Sequence, residues 1–340
     1  MRASLRFLTA TALAAGLASQ ALVAQQPPAG VGPNGESGGF VAKFADVNGI
    51  RTRYYEEGAG EPMVLLHGGS RYVGTASANT WEPVLSDLAN RFHVFAVDRL
   101  ATGMTDNPAS DDDLNIRGGI QHIVDFIDTM NLGNVHLIGQ SRGAQVALLL
   151  AANHPDLVKT LVLINGASPP AGDIDGTRTR NLFENCPREP WTALWPCRHA
   201  AYSYDRSHLT PEFIASGLWM GRRPKAQETE RRMTAEMQRK VARIRSEMTY
   251  DAYSRIAIER VLQMPVLLYW GKNDPAADQI EAESLFNIIA DTNPHARLLV
   301  SNAAGHFHYR EHPEEFAHMV TSFVDYWNGP GAKELAAPQP

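Results

Sequence analysis

The chain places a serine between two glycines in Gly139-Gln140-Ser141-Arg142-Gly143. An apolar, β-branched run precedes this motif and good helix formers follow it, so the order predicts a strand, a sharp turn and a helix. Such a turn strains the serine backbone. It also brings the strand and the helix so close together that residues 139 and 143 have no room for a Cβ, which explains why both are glycine. The hydroxyl of Ser141 would lie beside the positive end of a helix and is predicted to be a nucleophile. The alternative is a plain connection in which Ser141 only caps the helix.

A serine is a weak nucleophile, so this interpretation requires a base and an acid elsewhere in the chain. A buried-strand pattern at residues 264–271 ends in a turn that carries Asp274. The next strand pattern, at residues 296–300, is followed by a glycine-containing loop that carries His306. We expect His306 to take the proton from Ser141. Asp274 would hold the imidazole tautomer and stabilise its charged form.

Both assignments have alternatives. The chain has 12 histidines, and His306 is favoured because it directly follows Gly305 after a strand. The nearest competitors are His67, His308 and His312. Asp274 could instead be a turn former before Pro275, in which case the acid would be Asp173 or Asp175. Asp98, at the end of an earlier strand, is interpreted as a residue that fixes a loop, since it precedes the nucleophile.

The oxyanion of acyl transfer needs two backbone N–H donors. A buried strand at residues 62–66 runs into His67-Gly68-Gly69-Ser70, and the donors predicted are Gly69, from this loop, and Arg142, after the nucleophile. The His67 ring is expected to be structural. The guanidinium groups of Arg142 and Arg310 could reach the site and favour an acidic substrate. Alternatively, both side chains turn away into ion pairs.

The positions of these residues follow from an alternation of strand and helix patterns. Asn48-Gly49 is a strong hairpin signal, so an antiparallel pair should open the sheet. Parallel βα units follow, which predicts an α/β fold with a mostly parallel twisted sheet flanked by helices. The core would comprise residues 40–166 and 263–329. Residues 167–262 interrupt the alternation as an insertion with a long charged helical run, interpreted as a solvated face.

The N-terminal residues suggest export, and export changes what is expected of the two cysteines. Residues 1–24 combine a basic start with a short apolar stretch, as in a signal peptide, so the protein is expected to be secreted or periplasmic without stable membrane insertion. Residues 25–39 and 330–340 are predicted to be disordered. Cys186 and Cys197 would form a disulfide in an oxidising compartment; two free thiols or a metal site are the alternatives, although no ligand spacing supports a metal.

The net charge and the composition bear on the partners and on the number of domains. The net charge of −6 gives no reason to expect nucleic acid or an anionic membrane as partner. With 44% hydrophobic residues, about 290 residues suffice for one catalytic domain with an insertion. No motif indicates a metal or an organic cofactor, and no pattern predicts the oligomeric state.

The chain resembles the α/β-hydrolase superfamily, and within it the meta-cleavage-product C–C hydrolases and related esterases. The motifs that carry the resemblance are His67-Gly68-Gly69-Ser70, residues 76–81, Val97-Asp98-Arg99, Gly139 to Gly143, Gly271 to Asp274, Gly305-His306-Phe307 and Glu311-His312-Pro313. The order Ser141, Asp274, His306 is that of the superfamily triad. The resemblance covers residues 45–328 and implies that the insertion is a helical lid over Ser141.

Several positions depart from the C–C hydrolases. Where this chain has Phe307, those enzymes usually have Trp, and where it has Arg310 they have a second aromatic residue. They commonly have Met in place of Arg142 and Gly in place of Ala101. We therefore expect hydrolysis of a carboxylic ester or lactone through an acyl-enzyme on Ser141, with C–C hydrolysis as the alternative. A non-catalytic binding protein on the same fold is disfavoured by the complete triad. Haloalkane or epoxide hydrolysis would require an aspartate at position 141.

Overall fold

Eight strands form one sheet in the computed structural model of this chain, which describes residues 26–69, 76–167 and 181–335. The strands are β1 (Lys43–Val47), β2 (Ile50–Glu57), β3 (Glu61–Leu66), β4 (Phe92–Val97), β5 (Val135–Gln140), β6 (Val158–Ile164), β7 (Val266–Gly271) and β8 (Ala296–Ser301). Their order in the sheet is β1-β2-β4-β3-β5-β6-β7-β8. The pairs β1/β2 and β2/β4 are antiparallel and all the others are parallel. The predicted, mostly parallel sheet is confirmed.

The antiparallel opening of the sheet is the hairpin predicted at Asn48-Gly49. Both residues have positive φ, 50° and 80°, as a two-residue turn of the primed type requires. The carboxylate of Asp46 accepts a hydrogen bond from the Gly49 N–H at 2.7 Å. The turn therefore fixes the register of β1 against β2.

Helices connect and cover the strands. They are α1 (Glu82–Ala89), α2 (Ile116–Thr129), α3 (Arg142–Asn153), α4 (Trp191–Tyr202), α5 (Pro211–Gly221), α6 (Pro224–Arg232), α7 (Ala235–Glu259), α8 (Gln279–Ala290), α9 (His308–Glu311), α10 (Pro313–Asn328) and α11 (Ala332–Leu335). Within the described residues, three short 3₁₀ helices cover Ala78–Trp81, Asp111–Asp113 and Pro155–Leu157.

The core has two layers, one on each face of the sheet. Alternate residues of a strand point to opposite faces, so Val64 and Leu66 pack with α2, α3 and α8. Met63 and Leu65 pack with α1 and α10 on the other face. This packing holds the carboxyl ends of the parallel strands, where the predicted site residues lie, at one edge of the sheet.

The described part of the insertion contains four helices, α4 to α7. The charged run predicted as one helix is divided into α6 and α7, because Thr234 caps α7 by accepting a hydrogen bond from the Met237 N–H. Charged residues of this run are paired on the surface, as in Arg243–Glu247. The predicted bond between Cys186 and Cys197 is present, with the two Cα atoms 5.7 Å apart.

The prediction of a disordered leader at residues 25–39 is wrong for residues 26–39. Val31 is buried against Trp219 and Met220 of α5. The Ser37 hydroxyl donates to Glu82 of α1 at 2.8 Å. These contacts join residues far apart in sequence, so the local polar composition did not reveal them.

At the other end, residues 332–335 form the short helix α11, where a disordered tail was predicted. The predicted signal peptide, residues 1–24, lies outside the described residues. No helix among the described residues is long and apolar enough to cross a membrane.

Candidate active site

Ser141 lies at the sharp turn between β5 and α3. Its backbone has φ 52° and ψ −116°, a strained conformation for a residue with a side chain. The Ser141 N–H donates to the Ile164 carbonyl at 2.8 Å. A Cβ on Gly139 would lie 2.3 Å from the Gly143 carbonyl oxygen, so glycine is required there. The local sequence thus produces the predicted turn and directs Ser141 into a cavity.

His306 and Asp274 form a buried pair behind this cavity. His306 Nδ1 lies 2.7 Å from Asp274 Oδ2, and the Asp274 side chain is fully buried. Because a carboxylate only accepts hydrogen bonds, the imidazole proton is on Nδ1 and Nε2 is the basic nitrogen. His306 lines the same cavity as Ser141. The structure therefore brings together the three residues predicted as a triad.

The other candidates are placed elsewhere. His308 and His312 do not line the cavity, and His308 is buried against the Tyr269 ring, with 4.4 Å between ring centroids. Asp98 accepts hydrogen bonds from the Arg53 side chain and from the N–H groups of Ala78 and Met104, so it fixes loops. The alternative acids, Asp173 and Asp175, lie outside the described residues.

Asn165 supports the acid and was not predicted. Its amide donates to Asp274 Oδ2 at 2.6 Å and to the Gly305 carbonyl at 3.2 Å, and its oxygen accepts the Gly271 N–H at 3.1 Å. One side chain thus ties together the loops that carry the acid and the base. Asn165 directly follows β6, at the carboxyl edge of the sheet, and this position in the sequence could have indicated that it lies near the acid.

The two predicted oxyanion donors also line the cavity. Gly69 has φ 81°, a conformation that favours glycine. Arg142 begins α3, so its N–H is among those at the helix N-terminus that have no acceptor within the helix. A Cβ on the neighbouring Gly68 would lie 3.0 Å from the Ser141 Cβ. The loop that contains Gly68 and Gly69, here called the glycine loop, therefore passes directly over the serine.

His67 supports this loop from below. Its Nε2 accepts the Arg99 backbone N–H at 3.2 Å, so the proton lies on Nδ1 and is donated to the Gly68 carbonyl at 2.7 Å. Burial, together with the nearby Arg99 charge, lowers the pKa of His67 well below its ordinary value. The ring is therefore neutral and structural, as predicted, although one edge reaches the cavity wall.

The cavity has a volume of about 270 Å³ and one helix of the insertion forms much of its wall. The residues of α4 that line it are Trp195, Arg198, His199 and Tyr202. They follow the i, i+3, i+4, i+7 spacing of one helix face. None of these four residues was predicted from the sequence, and Pro196 within the helix weakens its local signal. The disulfide at Cys197 ties this helix to residue 186.

Aromatic rings pack around the base. The His199 ring is stacked on Phe307 with centroids 5.1 Å apart, and the Tyr202 ring lies 5.0 Å from His306. Burial lowers the pKa of His199 to about 4 and raises the pKa of Tyr202 to about 12. Both side chains are consequently neutral at pH 7 and form an aromatic part of the cavity wall.

Of the two arginines considered for substrate binding, only Arg142 lines the cavity. The Arg310 guanidinium donates to the carbonyls of Asn79, Thr80 and His208. It also lies 3.9 Å from the centre of the Phe213 ring. Arg310 is therefore structural, whereas Arg198, which was not predicted, also lines the cavity, with its guanidinium 4.8 Å from the centre of the Phe183 ring.

Comparisons with known proteins agree with this geometry. The model of the α/β hydrolase fold family matches residues 61–313. The 2-hydroxy-6-oxo-6-(2'-aminophenyl)hexa-2,4-dienoic acid hydrolase of Metapseudomonas resinovorans is 27% identical over 84% of this chain and 91% of its own length. The 2-hydroxymuconate semialdehyde hydrolase of Pseudomonas sp. strain CF600 is 30% identical over 81% of this chain and 91% of its own length.

Solved structures of hydrolases are also similar to this chain. A serine hydrolase involved in carbazole degradation, the CarC enzyme, superposes with a TM-score of 0.66 and 27% identity, over 84% of this chain and 99% of that one. A meta-cleavage product hydrolase, CumD, has a TM-score of 0.67 over 84% of this chain and 98% of that one, at 22% identity. The second likeness concerns the fold alone.

Proposed function

Since this chain belongs to the α/β-hydrolase family, we propose that it is a serine hydrolase in which Ser141 is the nucleophile, His306 the base and Asp274 the residue that orients the base. The observation that carries this proposal is the buried His306–Asp274 hydrogen bond of 2.7 Å beside a cavity that Ser141 also lines. The strained backbone of Ser141 supports it, because such strain is common at active sites.

The proposed reaction has two halves. Ser141 Oγ attacks the substrate carbonyl while His306 Nε2 takes its proton, and the N–H groups of Gly69 and Arg142 stabilise the oxyanion. The bond to the leaving group then breaks and His306 returns the proton to that group. In the second half, His306 activates water, which attacks the acyl-enzyme and releases the acid and free Ser141.

The leaving group decides the bond type. An ester releases an alcohol, whose oxygen takes the proton. A C–C bond releases a carbon that must first hold the electron pair, so the substrate needs a conjugated carbonyl as electron sink. Both reactions need the same nucleophile and oxyanion donors, and the distinction therefore depends on the cavity wall.

For this chain we favour C–C hydrolysis of an acidic, conjugated oxo compound over the ester or lactone expected from the sequence. The relatives from Metapseudomonas resinovorans and Pseudomonas sp. strain CF600 are named as hydrolases of such compounds. The described cavity lining contains two arginines, Arg142 and Arg198, and no carboxylate. Guanidinium groups bind carboxylates strongly, so this wall suits an anionic substrate.

An ester or lactone is the second candidate. Phe307 lies where the C–C hydrolases usually have Trp, and Arg142 lies where they usually have Met. Both residues line the cavity, so the differences affect the wall that meets the substrate. A neutral or weakly acidic ester would fit the same oxyanion donors.

Substrates with and without a carboxylate test whether the two arginines of the cavity bind the substrate. We expect Arg142→Ala and Arg198→Ala to lower kcat/KM about 10- to 100-fold for a carboxylate-bearing p-nitrophenyl ester or a 2-hydroxy-6-oxo-dienoate, because a charge-assisted hydrogen bond is lost. A neutral p-nitrophenyl ester should be spared, since Arg142→Ala keeps the backbone N–H. Steady-state absorbance assays measure both.

Arg206→Ala is the control, because Arg206 is exposed on the same insertion and does not line the cavity. Equal losses on neutral and acidic substrates would mean that the two arginines serve the loop or helix rather than the substrate. Cleavage of esters with no turnover of the dienoate would favour the second candidate function.

We also propose that the protein is exported and that a signal peptide within residues 1–24 is removed. The disulfide between Cys186 and Cys197 supports this proposal, since disulfides persist in oxidising compartments. Mass spectrometry of non-reduced protein from the native host, after thiol alkylation, should find a mature chain that begins near Leu22 or Gln25 and carries no alkylated cysteine. Cys197→Ser, as a control, should carry one. An intact Met1 would contradict removal of the signal.

A further inference from the structure

Arg99 holds the carbonyl side of the glycine loop. One nitrogen of its guanidinium, Nη2, donates to the Gly68 carbonyl at 3.1 Å and to the Gly69 carbonyl at 2.9 Å. Its backbone N–H orients the His67 ring, which donates to the same Gly68 carbonyl. The Arg99 residue is 5% exposed, so solvent does not compete strongly for these donors.

These contacts determine where one oxyanion donor points. A trans peptide is planar, with its carbonyl and its N–H on opposite sides. Because Arg99 and His67 hold the Gly68 oxygen, the Gly69 N–H of the same peptide is directed away from them. Arg99 also holds the next carbonyl, that of Gly69, and so fixes both peptides that flank this residue.

The hydrogen bond from Arg99 to the Gly69 carbonyl matters because glycine has little conformational preference of its own. Gly69 has φ 81°, and a glycine can leave this region at low cost. Rotation of the peptide between Gly68 and Gly69 would turn the N–H away from a developing oxyanion. The guanidinium therefore supplies a restraint that the sequence Gly68-Gly69 lacks.

We propose that Arg99 is a positioning residue for catalysis, which fixes the Gly69 N–H toward the oxyanion through its two hydrogen bonds to the loop carbonyls. The inference rests on the proposed serine hydrolase function. It assigns to Arg99 no contact with the substrate. Its effect is confined to steps in which negative charge develops on the carbonyl oxygen.

The test compares wild type with Arg99→Lys on a p-nitrophenyl ester and the matched thiono-ester, in which sulfur replaces the carbonyl oxygen. Sulfur accepts hydrogen bonds weakly, so an intact oxyanion hole favours the oxygen ester. A lysine keeps the charge but has no planar fork. We expect kcat for the oxygen ester to fall on the order of 10²-fold, with KM little changed. The oxygen-to-sulfur rate ratio should shrink by about tenfold as part of this loss.

The rate ratio is independent of the folded fraction, because both substrates are measured on one sample. Arg99→Gln, which retains a single amide donor, is the second variant if the lysine variant does not fold. Arg310→Lys is the matched control: Arg310 is equally buried and donates to backbone carbonyls away from the glycine loop. It should lower the thermal stability and leave the rate ratio unchanged.

A fall in kcat with an unchanged rate ratio would overturn the proposal, because it would show a merely structural role. Unchanged kcat would overturn it as well. If wild type neither cleaves the ester nor is labelled at Ser141 by a fluorophosphonate, the proposed function itself fails, and this result is distinguishable from the other two.

Discussion

Ser141→Ala is expected to lower kcat on the order of 10⁴- to 10⁶-fold, because the nucleophile is lost while the oxyanion donors and the cavity remain. His306→Ala should cause a comparable loss, since the serine proton then has no acceptor. Stopped assays with concentrated enzyme measure the residual rate. Circular dichroism and thermal melting establish that both variants are folded.

The double variant provides the control. Groups that act as one unit give non-additive losses, so Ser141→Ala/His306→Ala should be about as slow as the slower single variant. Additive losses would mean that the two residues act independently and would contradict the proposed chemistry. A fluorophosphonate should label wild type at Ser141 and leave Ser141→Ala unlabelled. A folded wild type that is not labelled would favour a binding protein.

Much of the fold could be predicted because its signals are local. Asn48-Gly49 specifies a hairpin from two residues, and the glycines around Ser141 are required by contacts of the turn itself. The strand and helix patterns then order the elements along the chain. In a mostly parallel sheet, residues that follow the strands meet at one edge, which is why Asp274 and His306 could be paired from sequence.

The features that were missed depend on contacts between distant residues. Asn165 acts through hydrogen bonds to residues more than 100 positions away, and Arg99 through carbonyls 30 and 31 positions before it. Neither residue type is informative without the fold. Residues 26–39 are similar, because their polar composition resembles a linker and their burial depends on α1 and α5.

The cavity wall was missed for a different reason. Helix α4 does carry a readable face from Trp195 to Tyr202, but Pro196 lies within it. Prolines in a sequence normally argue against a helix interior. Here Pro196 is in the second turn, and the disulfide at Cys197 joins the same helix to residue 186. Pro196 therefore weakens the local helix signal of this segment, although the helical spacing of the face is present in the sequence.

Asp274→Asn should reduce kcat on the order of 10⁴-fold with little loss of stability. The reason is the direction of one hydrogen bond. An asparagine amide facing His306 Nδ1 stabilises the tautomer with its proton on Nε2, and that nitrogen can no longer accept the proton of Ser141. The measurement is kcat on a neutral p-nitrophenyl ester, with the folded state checked by thermal melting.

Asn165→Ala should have a smaller effect on kcat than Asp274→Asn. It removes the amide that holds Asp274 Oδ2 but leaves the carboxylate, which also accepts the Ala276 N–H at 2.7 Å. We therefore expect kcat to fall about tenfold, because the carboxylate of Asp274 loses one of its hydrogen bonds. The acid assignment would be wrong if Asp274→Asn kept near-normal turnover while Asp173→Asn or Asp175→Asn abolished it.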